Sequence, residues 1–146
     1  MPVKLGPAGV PLSCKGRTIV EGMDDIISLG LETMEVQTVR MVAPQHFEQY
    51  WQAGVLAHKT GFEMNIHGPY YTELLGNRLQ RNRSLAKVEA ALQAAKTINA
   101  RHVTLHTGHY GDVSRGQVAN GQVASVFKGI VQRIHDIWND DEDIYP

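Results

Sequence analysis

Cysteine is almost absent from this chain, and long apolar runs are missing altogether. Cys14 is the only cysteine among 146 residues, so an intramolecular disulfide is excluded and nothing indicates an oxidising compartment. No stretch approaches the roughly 20 apolar residues that cross a membrane, and the N-terminus lacks a charged region followed by an apolar one. We therefore expect a protein with no membrane partner and, by default, a cytoplasmic location.

A strong charge of either sign is missing too, since the formal net charge is -1 at pH 7. Such a balance does not indicate nucleic-acid binding, although an average can conceal an uneven distribution. Apolar material is ample, because 42% of the residues are hydrophobic. At this length the composition predicts a single domain that spans residues 1–146.

Two short segments alternate polar and apolar residues, and each ends in a histidine. Because successive side chains of a strand point to opposite faces, the polar residues of each segment share one face. We predict that His67 and His106 leave the same end of their strands on that face. The polar residues are Glu63, Asn65 and His67 in the first segment and His102, Thr104 and His106 in the second.

The residues between these segments indicate a helix, so the two strands are predicted to form a parallel strand-helix-strand unit. Neighbouring strands lie about 4.8 Å apart. At that spacing the imidazoles of His67 and His106 can reach one metal ion, with nitrogen–zinc bonds of roughly 2.0–2.1 Å. The alternative, that each is a hydrogen-bonded structural histidine, stays open at this point.

The whole chain indicates four strand-helix units, which favours a parallel sheet. The predicted strands are residues 3–5, 33–38, 62–67 and 102–106, and a Gly/Pro-rich loop follows the first. The predicted helices run from the Thr18 cap to Gly30, from Pro44 to Gly61, from Ser84 to Ile98 and from Val123 to Trp138. The predicted buried stripe of the last helix is Val123, Val126, Phe127, Ile130, Val131, Ile134, Ile137 and Trp138.

One face of every predicted strand is polar, whereas the strands of an open doubly wound sheet are apolar on both faces. The pattern therefore favours an α/β fold that forms the N-terminal half of a (β/α)8 barrel, with four parallel strands alternating with four helices. A complete barrel needs roughly 250 residues, and the chain reaches Pro146 where a fifth strand is expected to begin. A half-barrel has two open sheet edges and an uncovered apolar face, so we expect self-association.

Basic residues concentrate in the loops that follow the predicted strands, which is where barrel active sites lie. These loops hold seven of the fourteen basic residues and only two of the fifteen acidic ones, Glu73 and Asp112. A positive rim beside a metal site favours a phosphate-bearing substrate, although a merely solvated loop is the alternative for 77–83. The basic residues are Lys15, Arg17, Arg40, Arg78, Arg81, Arg83 and Arg115.

Two sequence motifs follow the third and fourth predicted strands: Asn-Ile-His-Gly-Pro-Tyr at 65–70 and Val-Thr-Leu-His-Thr-Gly-His at 103–109. On these motifs the chain resembles the N-terminal half of the endonuclease IV family of apurinic/apyrimidinic endonucleases, a family of xylose-isomerase-like barrels. The resemblance extends over about residues 5–112. Further similarity lies in the 6–13 loop, in 30–36 and in 83–85.

The resemblance implies a zinc enzyme that hydrolyses the phosphodiester 5' to an abasic site in DNA. In that family several zinc ions lie in the barrel mouth, which implies that His67 and His106 bind zinc. The zinc ions would polarise the phosphate and generate hydroxide. Tyr70 matches a tyrosine that is inserted into the DNA, and Arg40 lies in a loop used similarly. The family's other metal ligands come from later strands.

Several residues remain as accessory candidates near the mouth. Glu35 points inward and is a candidate further ligand or base, and His109 is a candidate outer partner of the metal site. Arg78, Arg81 and Arg83 are candidate phosphate contacts. The histidines placed away from the site are His46, His58 and His135 on helices and His102 at the far end of its strand.

Two rival interpretations stay open beside the nuclease. One is a sugar or sugar-phosphate isomerase or epimerase on the same barrel, using one divalent ion. The other is a non-catalytic half-barrel that binds partners or dimerises. Two histidines alone leave zinc poorly held, so we expect no substantial nicking activity from these residues on their own.

Overall fold

The computed structural model describes residues 3–42, 44–109 and 121–139. Within these residues, three strands form one parallel sheet in chain order: β1 (Thr33–Gln37), β2 (Glu63–His67) and β3 (His102–Thr104). The helices are α1 (Ile19–Ser28), α2 (Phe47–Thr60), α3 (Arg78–Thr97) and α4 (Gln122–Trp138), and a 3₁₀ turn, Pro44–His46, precedes α2. The predicted alternation of strands and helices is confirmed for these elements.

The predicted first strand at residues 3–5 is wrong, because no strand forms there. The chain instead runs beside β1 as an irregular segment, with one parallel bridge between Ala8 and Glu35. The Gly9 amide donates to the Glu35 carbonyl at 2.8 Å, and the Glu35 amide donates to the Pro7 carbonyl at 3.1 Å. Proline has no amide hydrogen to donate, which prevents a continuous ladder. The segment nevertheless occupies the position of a first strand.

Gly6 marks the closest approach between this segment and β1. A Cβ atom on Gly6 would lie 1.7 Å from the Thr33 carbonyl oxygen, so only glycine fits at this point. The loop rich in glycine therefore lets the N-terminal segment lie directly against the first strand of the sheet.

The start of α3 differs from the prediction. The helix begins at Arg78 and not at Ser84, because Asn77 and Gln80 form a capping box. The Asn77 side chain accepts from the Gln80 amide at 3.0 Å, and the Gln80 side chain accepts from the Asn77 amide at 2.8 Å. Arg78, Arg81 and Arg83, which we expected in a loop, thus lie on the first turns of a helix.

The core lies between the sheet and its covering helices. The apolar parity of β1 and β2 is buried, whereas the opposite face carries partly or fully exposed polar residues, as the alternation predicts. The buried strand residues meet small and apolar side chains of the first three helices. The core members are Met34, Val36, Met64 and Ile66 from the strands and Met23, Ile26, Tyr50, Ala53, Ala57, Ala91, Ala94 and Ala95 from the helices.

The predicted buried stripe of α4 is formed only in part. Ile130 is buried, but Phe127 is 38% exposed and Val131 is 50% exposed. Among the described elements α4 packs only on α3, so one side of its stripe lacks a neighbour. The side chains of Val123, Ile134 and Trp138 lie outside the described part of the chain.

None of the described helices combines the length and the apolar character that a membrane crossing requires.

Candidate metal site

His67 and His106 lie at the carboxyl ends of two neighbouring strands. His67 is the last residue of β2, and His106 follows the end of β3 by two residues. The strand ends are held together beyond the regular ladder, since the Thr38 amide donates to the His67 carbonyl at 2.9 Å and the Gly68 amide donates to the Thr104 carbonyl at 2.8 Å. The backbone beneath both imidazoles is therefore fixed.

The two imidazole rings converge, as the strand alternation predicts. Their Nε2 atoms are 3.3 Å apart, and the ring centroids are 4.9 Å apart with planes inclined by 45°. Both residues are partly buried. Two nitrogens that each lie roughly 2.0–2.1 Å from a tetrahedral zinc ion are about 3.3–3.4 Å apart. The separation in this structure is the one that a shared zinc ion requires.

The backbone selects which nitrogen of His67 can bind a metal. Its Nδ1 atom lies 3.0 Å from the Gly68 carbonyl oxygen, which can only accept a hydrogen bond. Nδ1 therefore carries the hydrogen, and Nε2 is left with a free lone pair. A metal-binding histidine commonly donates its other ring N–H to a carbonyl or carboxylate in this way. The donor chemistry of His67 and His106 thus fits zinc.

Tyr70 lies against both imidazoles. Its ring centroid is 4.2 Å from that of His106 and 5.0 Å from that of His67, with interplanar angles of 27° and 18°. Half of the Tyr70 surface is exposed. Tyr70 follows His67 by three residues in the sequence, and in the structure its ring stacks on both histidines.

No family model and no curated protein matches this chain. Among solved structures, a D-tagatose 3-epimerase-like protein matches with a TM-score of 0.66 at 16% identity, over 92% of this chain and 50% of its own. Endonuclease IV from Thermus thermophilus matches with a TM-score of 0.57 at 18% identity, over 89% of this chain and 46% of its own. The chain therefore spans about half the length of these proteins. The fold is half of a (β/α)8 barrel.

The loops that carry the histidines are joined by Thr72, a residue that the sequence analysis did not single out. Its hydroxyl donates to the His106 carbonyl, and its side chain is 1% exposed. The Leu74 amide reaches the Thr107 carbonyl at 3.4 Å. The local sequence around Thr72 does not indicate this role, because its hydrogen-bond partner, His106, is 34 residues away.

Arg40 is exposed in the loop after β1, next to the residue that holds Tyr70. The Tyr70 amide donates to the Val39 carbonyl at 3.1 Å. The structure thus brings the backbone of the Arg40 loop to Tyr70, as expected if the two residues belong to one surface. Their predicted contact with DNA stays a prediction.

The accessory candidates lie around the pair without joining it. His109 Nδ1 is 3.3 Å from Glu73 Oε1, and both side chains are substantially exposed. Glu35 pairs with Asn65 across the sheet and is partly exposed. Within the described ranges no three metal-ligating side chains are grouped together, so His67 and His106 stand as a pair.

The arginines of α3 give the same end of the sheet a positive charge. Arg78 and Arg83 are exposed, and Arg81 donates from Nη2 to the Gly76 carbonyl at 3.3 Å. The first turn of α3 contains no acidic residue. Arg115 and Asp112 lie outside the described residues.

Three of the remaining histidines are placed as predicted: His58 is on α2, His135 is on α4, and His102 begins β3 at the opposite end from His106. The prediction for His46 is wrong, because this residue lies in the 3₁₀ turn at the start of α2, just after the loop that follows β1.

Proposed function

We propose that His67 and His106 hold a zinc ion and that this chain belongs to the machinery of a metal-dependent endonuclease acting 5' to abasic sites in DNA. The observation that carries the proposal is the pair of Nε2 atoms 3.3 Å apart, with the tautomer of His67 set by the Gly68 carbonyl. This arrangement has the spacing and the free lone pair that a zinc ligand set needs.

A bound zinc ion would supply Lewis acidity toward a phosphate oxygen and a hydroxide at neutral pH. The residues of this chain would bind and orient the substrate. Arg40 and the arginines of α3 can hold phosphate oxygens, to which the planar guanidinium is well matched. Half of the Tyr70 surface is exposed beside the proposed metal site, where an aromatic ring can stack on or wedge beside a base.

A sugar or sugar-phosphate epimerase is the second candidate. The observation in its favour is the likeness to a D-tagatose 3-epimerase-like protein, with a TM-score of 0.66 against 0.57 for endonuclease IV. A single metal ion and a positive rim would also serve a phosphorylated sugar. Under either candidate the cytoplasmic location remains a prediction.

Zinc binding by the 146-residue chain tests the first part of the proposal. Competition with a chromophoric chelator of low zinc affinity, suited to a site with two imidazoles, should show one zinc ion bound per chain. His67→Asn or His106→Asn should weaken binding at least tenfold, because each removes one ligand. His102→Asn is the matched control, since His102 is exposed at the far end of β3. Equal affinity in all four proteins would contradict the metal site.

Binding to DNA distinguishes the two candidates. With zinc present, fluorescence anisotropy should show tighter binding to a duplex with one abasic site than to the intact duplex, and Arg40→Ala should weaken it. Epimerisation of ketoses by the same protein, without preference for the abasic duplex, would favour the second candidate. Since two imidazoles hold zinc weakly, we expect little nicking by this chain alone, and robust turnover would contradict that expectation.

A further inference from the structure

We propose that Tyr70 is a positioning residue, whose ring holds the imidazoles of His67 and His106 in their paired orientation. The proposal rests on the metal site proposed above and adds a role to a residue for which the resemblance implies only contact with DNA. It follows from the stacking of one aromatic ring on both candidate ligands.

The orientation of an imidazole ring needs support from its surroundings, because the terminal torsion of histidine has broad preferences. His67 has such support in the hydrogen bond from Nδ1 to the Gly68 carbonyl. The ring of His106 is contacted by Tyr70 at 4.2 Å and by His67 at 4.9 Å between centroids. Tyr70 is therefore the closer aromatic neighbour of the less constrained ligand.

Tyr70 can act as a fixed surface because its own backbone is held on both sides. Pro69, which precedes it, is fully buried and restricts the chain. The Tyr70 amide donates to the Val39 carbonyl at 3.1 Å, and its carbonyl accepts from the Thr72 amide at 3.1 Å. The next carbonyl, that of Tyr71, accepts from the Lys87 ammonium of α3 at 2.8 Å. The loop after β1 and helix α3 thus fix the backbone from which the ring extends.

This role makes a prediction that DNA contact does not. If Tyr70 served only to contact DNA, its replacement would leave the affinity for zinc unchanged. If its ring positions the imidazoles, its removal frees the His106 ring and weakens zinc binding without any DNA present. Groups that orient metal ligands typically change metal affinity 10–100-fold when they are removed.

The test compares zinc affinity in Tyr70→Leu, Tyr70→Phe and Tyr71→Leu, measured by chelator competition on the 146-residue chain. We expect Tyr70→Leu to weaken binding about tenfold. Tyr70→Phe should stay within about threefold of the parent, because the contacts are made by the ring. Tyr71→Leu is the control, since Tyr71 is 69% exposed and its contact with Lys87 uses the backbone carbonyl. Circular dichroism verifies that each variant is folded.

A second measurement needs neither zinc nor a variant. In the metal-free parent protein, nuclear Overhauser effects between the Tyr70 ring protons and the ring protons of both histidines are expected. Their absence would overturn the proposal, as would unchanged zinc affinity in Tyr70→Leu or an equal loss in Tyr70→Phe. If the parent protein binds no zinc, the metal site itself fails, and the ring contacts measured without metal still decide whether Tyr70 holds the pair.

Discussion

Two hydrogen bonds to backbone carbonyls shape the candidate site at the scale of single residues. The Gly68 carbonyl sets the tautomer of His67, and the His106 carbonyl is held by the buried hydroxyl of Thr72. The first interaction leaves the Nε2 atom of His67 with a lone pair that faces the Nε2 atom of His106, 3.3 Å away. The second fixes the backbone of His106. The chemistry of the site therefore depends on small uncharged residues as well as on the two histidines.

Glu21 is expected to make the stability of the protein depend on pH. Hydrogen bonds from the Thr18 side chain, then from the backbone amides of Thr18 and Arg17, lower the pKa of Glu21 from its usual value of 4.5. A lowered pKa in the folded state contributes stability above the unfolded value, and this contribution is lost as the pH falls from about 4.5 through the folded value. We expect urea midpoints of the parent to decline more steeply below pH 4.5 than those of Glu21→Gln.

The glutamine variant is the suitable comparison because glutamine also completes a capping box but does not titrate. Other carboxylates contribute equally to both proteins, so the difference between the two curves isolates Glu21. Parallel curves between pH 7 and pH 3 would contradict the assignment.

At the scale of whole elements, the site depends on the two loops that follow β2 and β3. Gly108 lies where they meet, with φ at +98°, and a Cβ atom there would be 2.8 Å from the Thr72 carbonyl oxygen. The same threonine holds the His106 carbonyl through its hydroxyl. The close approach of these loops therefore depends on a residue without a side chain.

Gly108→Ala is expected to destabilise the protein by about 1–3 kcal/mol through backbone strain and to weaken zinc binding by displacing the His106 loop. Gly61→Ala is the matched control. It also has a positive φ, of +68°, but a Cβ there meets nothing within 4 Å, and it lies at the other end of α2 from the site. Denaturation and chelator competition measure both effects, and an equal loss of zinc affinity in the two variants would contradict this account.

Within residues 3–42, 44–109 and 121–139, the half-barrel leaves part of its apolar surface without a neighbour. Phe127 and Val131 are separated by one turn of α4, so they form one exposed stripe on its surface. At the other edge Val3 and Leu5 are also exposed. In a complete barrel, each such edge lies beside another strand-helix unit. A second copy of this chain can offer the same kinds of surface.

We expect the 146-residue chain to self-associate, and light scattering at increasing concentration measures this. Phe127→Ser with Val131→Ser should weaken association at least tenfold, since burying one such side chain contributes about 1.5–3 kcal/mol. Leu29→Ser is the control, because Leu29 is 57% exposed at the end of α1. A monomer at every concentration, or the same loss in the control, would contradict the role of α4.

Local patterns in the chain were enough to predict β1, β2 and the alternating helices. The period of two in 62–67 correctly placed Ile66 in the core and His67 on the polar face, because a strand has no other way to arrange them. The capping box at Thr18 and Glu21 was equally readable. Asn77 and Gln80 carry the same kind of signal, with an amide in place of the hydroxyl at the cap, and the helix that they begin includes the three arginines expected in a loop.

Contacts between distant parts of the chain could not be predicted from such local patterns. The stacking of Tyr70 on His106 joins residues of two loops, and it depends on the register of β2 against β3 and on the backbone hydrogen bonds that hold each loop. The irregular course of the N-terminal segment likewise reflects its fit against Thr33 rather than its own composition. Residue order determined which side chains share a face, whereas packing decided which of them meet, because the separation of two atoms depends on every element between them.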